Sequence, residues 1–197
     1  MTRLLTLAVL GVFASPVLSQ TAAHAKPAAQ AITFTVDTAQ SSIDWTLSAT
    51  AHTVHGAFIV QRGEFRLGPN PGQAAGELTA DATSGKTGND GRDKKMHADV
   101  LESAKFPTIM FRLKSAEGPL PTESITSLTL RGTISIHGTN HDVSVLVQAQ
   151  LSNGHWTGTG AFTVPYVDWG LKNPSNFFLR VGNSVDVSIA LAGSIRQ

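Results

Sequence analysis

The chain has no cysteine among its 197 residues. That excludes a disulfide framework, a thiol nucleophile, a thiolate metal site and lipid attachment at an N-terminal cysteine. An Asn-x-Ser/Thr glycosylation sequon is also missing, because Asn173-Pro174-Ser175 carries the forbidden proline. Neither charge dominates: 15 basic side chains stand against 14 acidic ones. A chain so balanced lacks the net basic face that a nucleic acid partner requires. The one long apolar run is Leu4 to Phe13. It follows Arg3, is broken by Pro16, and precedes Ala23-His24-Ala25, the small-residue pattern a signal peptidase reads. The run is too short for a membrane span, which needs roughly 20 residues. Residues 1–25 therefore read as a secretory signal peptide cut after Ala25, with Ala29-Gln30-Ala31 as a second small-residue site. The expected location is periplasmic or secreted, and the missing sequon favours a bacterial periplasm. The removed arginine leaves 14 basic and 14 acidic side chains in the mature chain. Residues 26–31 read as an Ala-rich linker, and residues 32–197 as one domain large enough for a real core.

The sequence does have alternation, in segment after segment. Leu128, Leu130, Ile134 and Ile136 share one parity, as do Val143, Val145, Val147, Ala149 and Leu151, and again Val185, Val187, Ile189 and Leu191. A period of two puts such residues on one face of a strand. Further strands are expected at 32–36, 43–49, 54–60, 64–67, 77–83, 108–114 and 155–164. Apolar residues of both parities in 54–60 suggest a strand covered on its outer side as well. Gly132 suggests a bulge or bend, and Gly138-Thr139-Asn140 a hairpin turn. Between strands, Met96, Val100 and Leu101 fit one short amphipathic helix near 92–103. The fold class is all-β: an extended antiparallel barrel of about eight strands, its interior packed solid or hollow for an apolar ligand.

Signatures of chemistry are scarce. There is no Gly-x-Ser-x-Gly elbow, and Thr83-Ser84-Gly85-Lys86-Thr87-Gly88 lacks the order of a phosphate loop. His52 and His55 lie three apart, so on a strand they face opposite ways. His137 and His141 flank the expected hairpin turn and could oppose one another, but a pair alone makes a poor closed metal site. Neither an enzyme nor a metal protein is expected.

The order of residues resembles the YceI family, exported bacterial proteins with a lipocalin-like barrel. The likeness covers roughly Ile32 to Ile195. It rests on Val36-Asp37 before the Ser-x-Ile-x-Trp strand, Val54-His55-Gly56-x-Phe58, Asn89 with Arg92-Asp93, Phe106-Pro107-x-Ile109-x-Phe111, Gly132-x-x-x-Ile136-His137-Gly138, and Asp168-Trp169-Gly170. The resemblance implies non-catalytic binding of a polyisoprenoid, quinone or similar amphiphilic lipid inside the barrel, with no cofactor beyond that ligand. Two departures point to a divergent branch. Where the family usually has a histidine two positions after Arg-Asp, this chain runs Arg92-Asp93-Lys94-Lys95-Met96-His97, and the segment from Pro165 to Ser175 is extended.

Candidate walls of an apolar tunnel are Ile43, Trp45, Phe58, Ile109, Phe111, Leu130, Ile134, Val145, Val147, Phe162 and Trp169. Alternation leaves open which parity faces inward. Lys86, Arg92, Lys94 and Lys95 stand near a loop-to-helix junction where an anionic head group could dock; the alternative is a solvated helix face. Asn89, Asp93 and Asp168 read as structural. Tyr166, Trp169, Phe177 and Phe178 either cap the cavity or anchor their loop. Expected partners are the lipid and a transient membrane or envelope-protein contact. The alternative function is a filled barrel that serves as a protein-interaction module of the envelope.

Overall fold

The computed structural model describes residues 31–50 and 52–196. The expected leader, and all of the expected linker except Ala31, lie outside them. Alternating β-branched and aromatic residues, punctuated by Gly, Pro and Asn, produce nine strands: β1 (Ile32–Val36), β2 (Ser42–Ser48), β3 (Thr53–Leu67), β4 (Ala74–Lys86), β5 (Thr108–Glu117), β6 (Thr126–Ile136), β7 (Thr139–Ser152), β8 (His155–Val164) and β9 (Val185–Arg196). All pairings are antiparallel. From β2 the sheet runs through β9, β8, β7, β6, β5, β4 and β3, and β3 pairs back with β2, so it closes into a barrel.

β1 and β2 occupy one barrel position in succession. β1 lies between the far ends of β3 and β9, with Thr35 opposite Glu64 and Val36 opposite Gly193. β2 takes up the same slot further along, with Ile43 opposite Phe58 and Ser42 opposite Ala190. One 3-10 turn, Thr38–Gln40, separates them. Asp37 caps that turn, accepting from Gln40 Nε2 at 2.5 Å and from Ala39 N at 2.9 Å. These bonds, the Gln40 bond foremost, hold its carboxyl below the usual aspartate range. Nine strands thus fill eight positions, in agreement with the expected barrel of about eight strands.

Several local expectations are corrected. The segments at 54–60 and 64–67 form one strand, β3. Its register against β4 shifts between Ala57 and Ile59 and between Val60 and Arg62. These irregularities switch the inward parity from Val54 and Phe58 to Phe65 and Leu67. The outer face of β3 is not covered, since Ile59 is 64% exposed. β4 extends beyond 83 to Lys86 because Asp81 rebuilds the ladder with side chains. Its carboxylate accepts from Thr83 Oγ1 at 2.6 Å and Thr83 N at 2.8 Å, while Ser84 Oγ accepts from Ile59 N at 2.8 Å. The bond from the Thr83 hydroxyl is the chief cause of a lowered Asp81 pKa. The hairpin turn is His137-Gly138, one residue earlier than expected, with φ of 51° and 77°. This left-handed pair matches the twist of the flanking strands.

The helix also starts earlier than its apolar pattern suggests. α1 (Asp90–Lys95) is capped by Asn89, whose side chain accepts from Arg92 N at 2.9 Å, and it continues as a π turn over Met96–Val100. Two apolar clusters result. One centres on Phe34, Phe65, Leu113, Leu128 and Trp156 at the end of the barrel where β1 begins and β9 finishes. The other joins Leu101, Val164, Tyr166 and Leu171 at the opposite end, under the helix and the loop between β8 and β9.

Candidate functional site: an apolar cavity with a cationic rim

Between the two clusters lies a cavity of about 550 Å³, within the roughly 300–1,000 Å³ typical of sites that enclose small molecules. The barrel is therefore hollow, contrary to the filled-barrel alternative. All eleven tunnel candidates line it: Ile43, Trp45, Phe58, Ile109, Phe111, Leu130, Ile134, Val145, Val147, Phe162 and Trp169. The inward parity is that of Leu128 to Ile136 on β6, Val145 and Val147 on β7, and Val185 to Leu191 on β9. Phe34, Phe65 and Trp156 make the floor. Trp156 stands edge-on to Phe34, ring centroids 5.6 Å apart, and its indole N–H donates to Thr35 O at 3.1 Å. The Trp45 indole lies flat on β3, where a Cβ at Gly56 would come within 2.2 Å of the ring. Its N–H is buried without a partner among the described residues.

The rim is where the polar residues stand. Among the described residues, no lining residue is an aspartate, glutamate, serine or threonine, and the only lysine and arginine side chains in the lining are Arg92 and Lys95. Arg92 Nε donates to Thr87 Oγ1 at 2.8 Å, which fixes the guanidinium at the helix. Lys95 Nζ donates to Pro174 O at 3.1 Å and bridges α1 to the β8–β9 loop. Lys86 and Lys94 are exposed and do not line the cavity, so the four head-group candidates reduce to two. The helix end itself offers an anion little. Asn89 takes up one of its N–H groups, and its first turn carries Asp90 and Asp93.

The structural candidates separate. Asn89 is the cap, and the Asp93 carboxylate accepts from Thr87 N at 2.9 Å and also from the Thr87 hydroxyl. Asp168 is exposed, and its side chain makes no hydrogen bond among the described residues. The loop is held by its neighbours instead. Tyr166 is buried, donates from its hydroxyl to Gly182 O at 2.7 Å, and has its phenol pKa pushed up by burial. Asn173 Nδ2 donates to Val181 O at 3.1 Å, and Arg180 N donates to Thr50 Oγ1 at 3.0 Å. Of the four loop aromatics, Tyr166 and Trp169 line the cavity. Phe177 and Phe178 neither cap it nor anchor the loop, being 91% and 90% exposed.

The histidines serve the same frame. His52 stands at the cavity mouth, while His55 lies exposed on β3 outside the lining. His137 and His141 do not oppose one another, because His141 pairs with Ile134. His137 Nε2 is 2.5 Å from Glu102 Oε2, tying the β6–β7 turn to the segment after the helix. His141 stacks on Trp169, centroids 4.2 Å apart. His97 is a strap that sequence reasoning missed: Nε2 donates to Gly85 O at 2.9 Å, and Nδ1 is 2.9 Å from Ser103 Oγ. Nothing in its spacing announces a bond to a strand 12 residues away.

A closed barrel with a deep apolar cavity and a polar rim is a lipocalin-like architecture. The family model for the YceI-like domain matches residues 34–192, and the chain belongs to that family. Solved structures agree on the fold. It is similar to Burkholderia cenocepacia BcnA, with a TM-score of 0.66 at 17% identity, covering 81% of this chain and 99% of that one. It is equally similar to a structure from Saccharophagus degradans described as a polyisoprenoid binding domain implicated in plant cell wall breakdown, TM-score 0.66 at 17% identity, covering 83% and 98%. The Campylobacter jejuni YceI protein aligns with a TM-score of 0.53 at 14% identity, covering 72% and 82%. No curated protein matches the chain.

Proposed function

We propose that this protein is an exported, non-catalytic carrier or storage protein for an isoprenoid-like amphiphilic lipid, of polyprenyl or quinone type, working in the periplasm. The observation that carries the reading is the apolar cavity whose only lysine and arginine among the described residues are Arg92 and Lys95, both at its rim. Burying a methylene gains about 0.8 kcal/mol, so a branched tail binds here without specific polar contacts. Arg92 and Lys95 give an electron-rich head group its place at the mouth. Among the described residues no aspartate, glutamate, serine or threonine lines the cavity, and the Tyr166 hydroxyl is committed to Gly182 O, which supports a holding role over a chemical one. The polyisoprenoid-binding description of the Saccharophagus degradans neighbour is consistent with the same ligand class.

The test is to express the chain through its own export route and examine the mature protein by native mass spectrometry, then by solvent extraction. A stoichiometric long-chain isoprenoid mass is the expected result. A bare protein that stays bare after incubation with envelope lipids overturns the proposal. A Phe111→Asp variant, with a carboxylate placed in the cavity wall, is expected to lose the bound mass while keeping its β-rich circular dichroism. Retention by the folded variant counts against the cavity as the binding site.

A further inference from the structure

Phe177 and Phe178 are at the tip of the β8–β9 loop, the element that frames the cavity mouth through Pro174, Asn176 and Leu179. The two rings stand nearly perpendicular, centroids 5.1 Å apart, with 91% and 90% of their surface in solvent. The tip is nonetheless tightly built. Asn176 Oδ1 accepts from Phe178 N and from Leu179 N, each at 2.9 Å, and Asn176 N donates to Leu179 O at 2.9 Å. Val181 N donates to Ser175 Oγ at 2.8 Å, and Lys95 holds Pro174 from the helix side. A rigid loop that keeps two adjacent phenylalanines bare presents an apolar tip to something outside the protein.

We propose that this tip docks the cavity mouth on an anionic lipid bilayer, with Phe177 and Phe178 inserted at the interface. The inference deepens the lipid-carrier reading and rests on it, since docking would let a tail pass between bilayer and cavity without crossing water. The size of the tip favours a bilayer over a protein partner. Two phenylalanines offer roughly 300–500 Å², well short of the roughly 800 Å² each partner contributes to a stable protein interface. Insertion into lipid needs no complementary pocket. Charge agrees within the loop, where Lys172 and Arg180 flank the rings against the single acid Asp168, while at the adjoining rim Arg92 and Lys95 share the helix with Asp90 and Asp93. Apolar insertion combined with nearby cations is the signature of interfacial binding to anionic lipid.

The experiment is flotation of the full exported protein with vesicles of phosphatidylethanolamine and phosphatidylglycerol, and with vesicles of phosphatidylcholine alone. Wild type is expected to float with the phosphatidylglycerol vesicles. A Phe177→Ser/Phe178→Ser variant should partition about a hundredfold less. A Lys172→Gln/Arg180→Gln variant should lose roughly tenfold on the anionic vesicles and little on the neutral ones. The four substituted residues lie outside the cavity lining, so melting temperature and bound-lipid mass should stay as in wild type. Flotation of the serine variant equal to wild type overturns the proposal, as does failure of wild type to float. So does a wild-type dimer that the serine variant converts to monomer, since the rings would then serve self-association. Flotation by a protein with no bound lipid would sustain the docking tip and sink the carrier reading instead.

Discussion

At one end of the barrel, Phe34, Phe65 and Trp156 pack on each other's strands, and β7 passes to β8 through the two-residue turn Asn153-Gly154. At the other end the two-residue turn His137-Gly138 is accompanied by 87–107 and 165–184, long segments held by individual polar bonds: Asn89 on Arg92 N, His97 on Gly85, Glu102 on His137, Tyr166 on Gly182. The first end is closed by non-directional burial, which any well-fitting apolar set supplies. The second is closed by a smaller apolar cluster of Leu101, Val164, Tyr166 and Leu171, together with bonds that each need one donor and one acceptor in place. Opening the second end breaks individual hydrogen bonds and a smaller cluster, whereas opening the first breaks the larger core.

The sharpest way to break this contrast is at the floor. Trp156→Ala removes a buried ring, its edge contact with Phe34 and its bond to Thr35 O, and should destabilise the barrel by about 3–5 kcal/mol in denaturant unfolding. A cost below about 1 kcal/mol would mean that the floor is no stronger than the mouth. Tyr166→Phe deletes only the bond to Gly182 and should cost about 1 kcal/mol. Hydrogen exchange should then speed up across 167–182 and leave the β1, β8 and β9 amides at the floor unchanged. Equal acceleration at both ends would show one cooperative unit instead of two. The smallest effect is expected at Asp81, on the mouth half of β4. Its folded pKa lies below the ordinary 3.8. Its stabilisation is therefore complete above about pH 4 and is lost as pH falls through the lower folded value. Thermal midpoints of wild type and Asp81→Asn should accordingly converge on acidification, and a difference that persists at pH 2 would place the effect elsewhere.

Much of this was legible because period two survives wherever a strand has one face inward. The parities of β6, β7 and β9 identify the cavity wall, although not which face is hollow, since alternation is the same for a packed interior and an empty one. It fails where the backbone leaves the regular ladder. The switch of inward parity between Phe58 and Phe65 makes β3 read as two strands, and the side-chain bonds of Asp81 and Ser84 carry β4 into a stretch that reads as a polar loop. The mouth was less legible for the same reason that it is more easily opened. Its contacts, such as His97 with Gly85 or Lys95 with Pro174, join residues whose spacing follows no period. The family motifs supply cavity-wall residues together with the glycines that let aromatic rings pack: Gly56 lies under Trp45, Gly132 against Phe111, and Gly138 against Phe106, each too close to admit a Cβ.

The shared slot of β1 and β2 has a consequence for how the chain reaches this state. Both strands find their second neighbour only in β9, which ends at Arg196, so the first and last strands of the barrel must meet to seal the cylinder. Until then β9's place beside β2 is an open edge, exposed for as long as the intervening strands take to emerge. Closure is the longest-range event available to this sequence and is expected to set its folding rate. A chain truncated before Val185 would therefore keep its hairpins and lose its container.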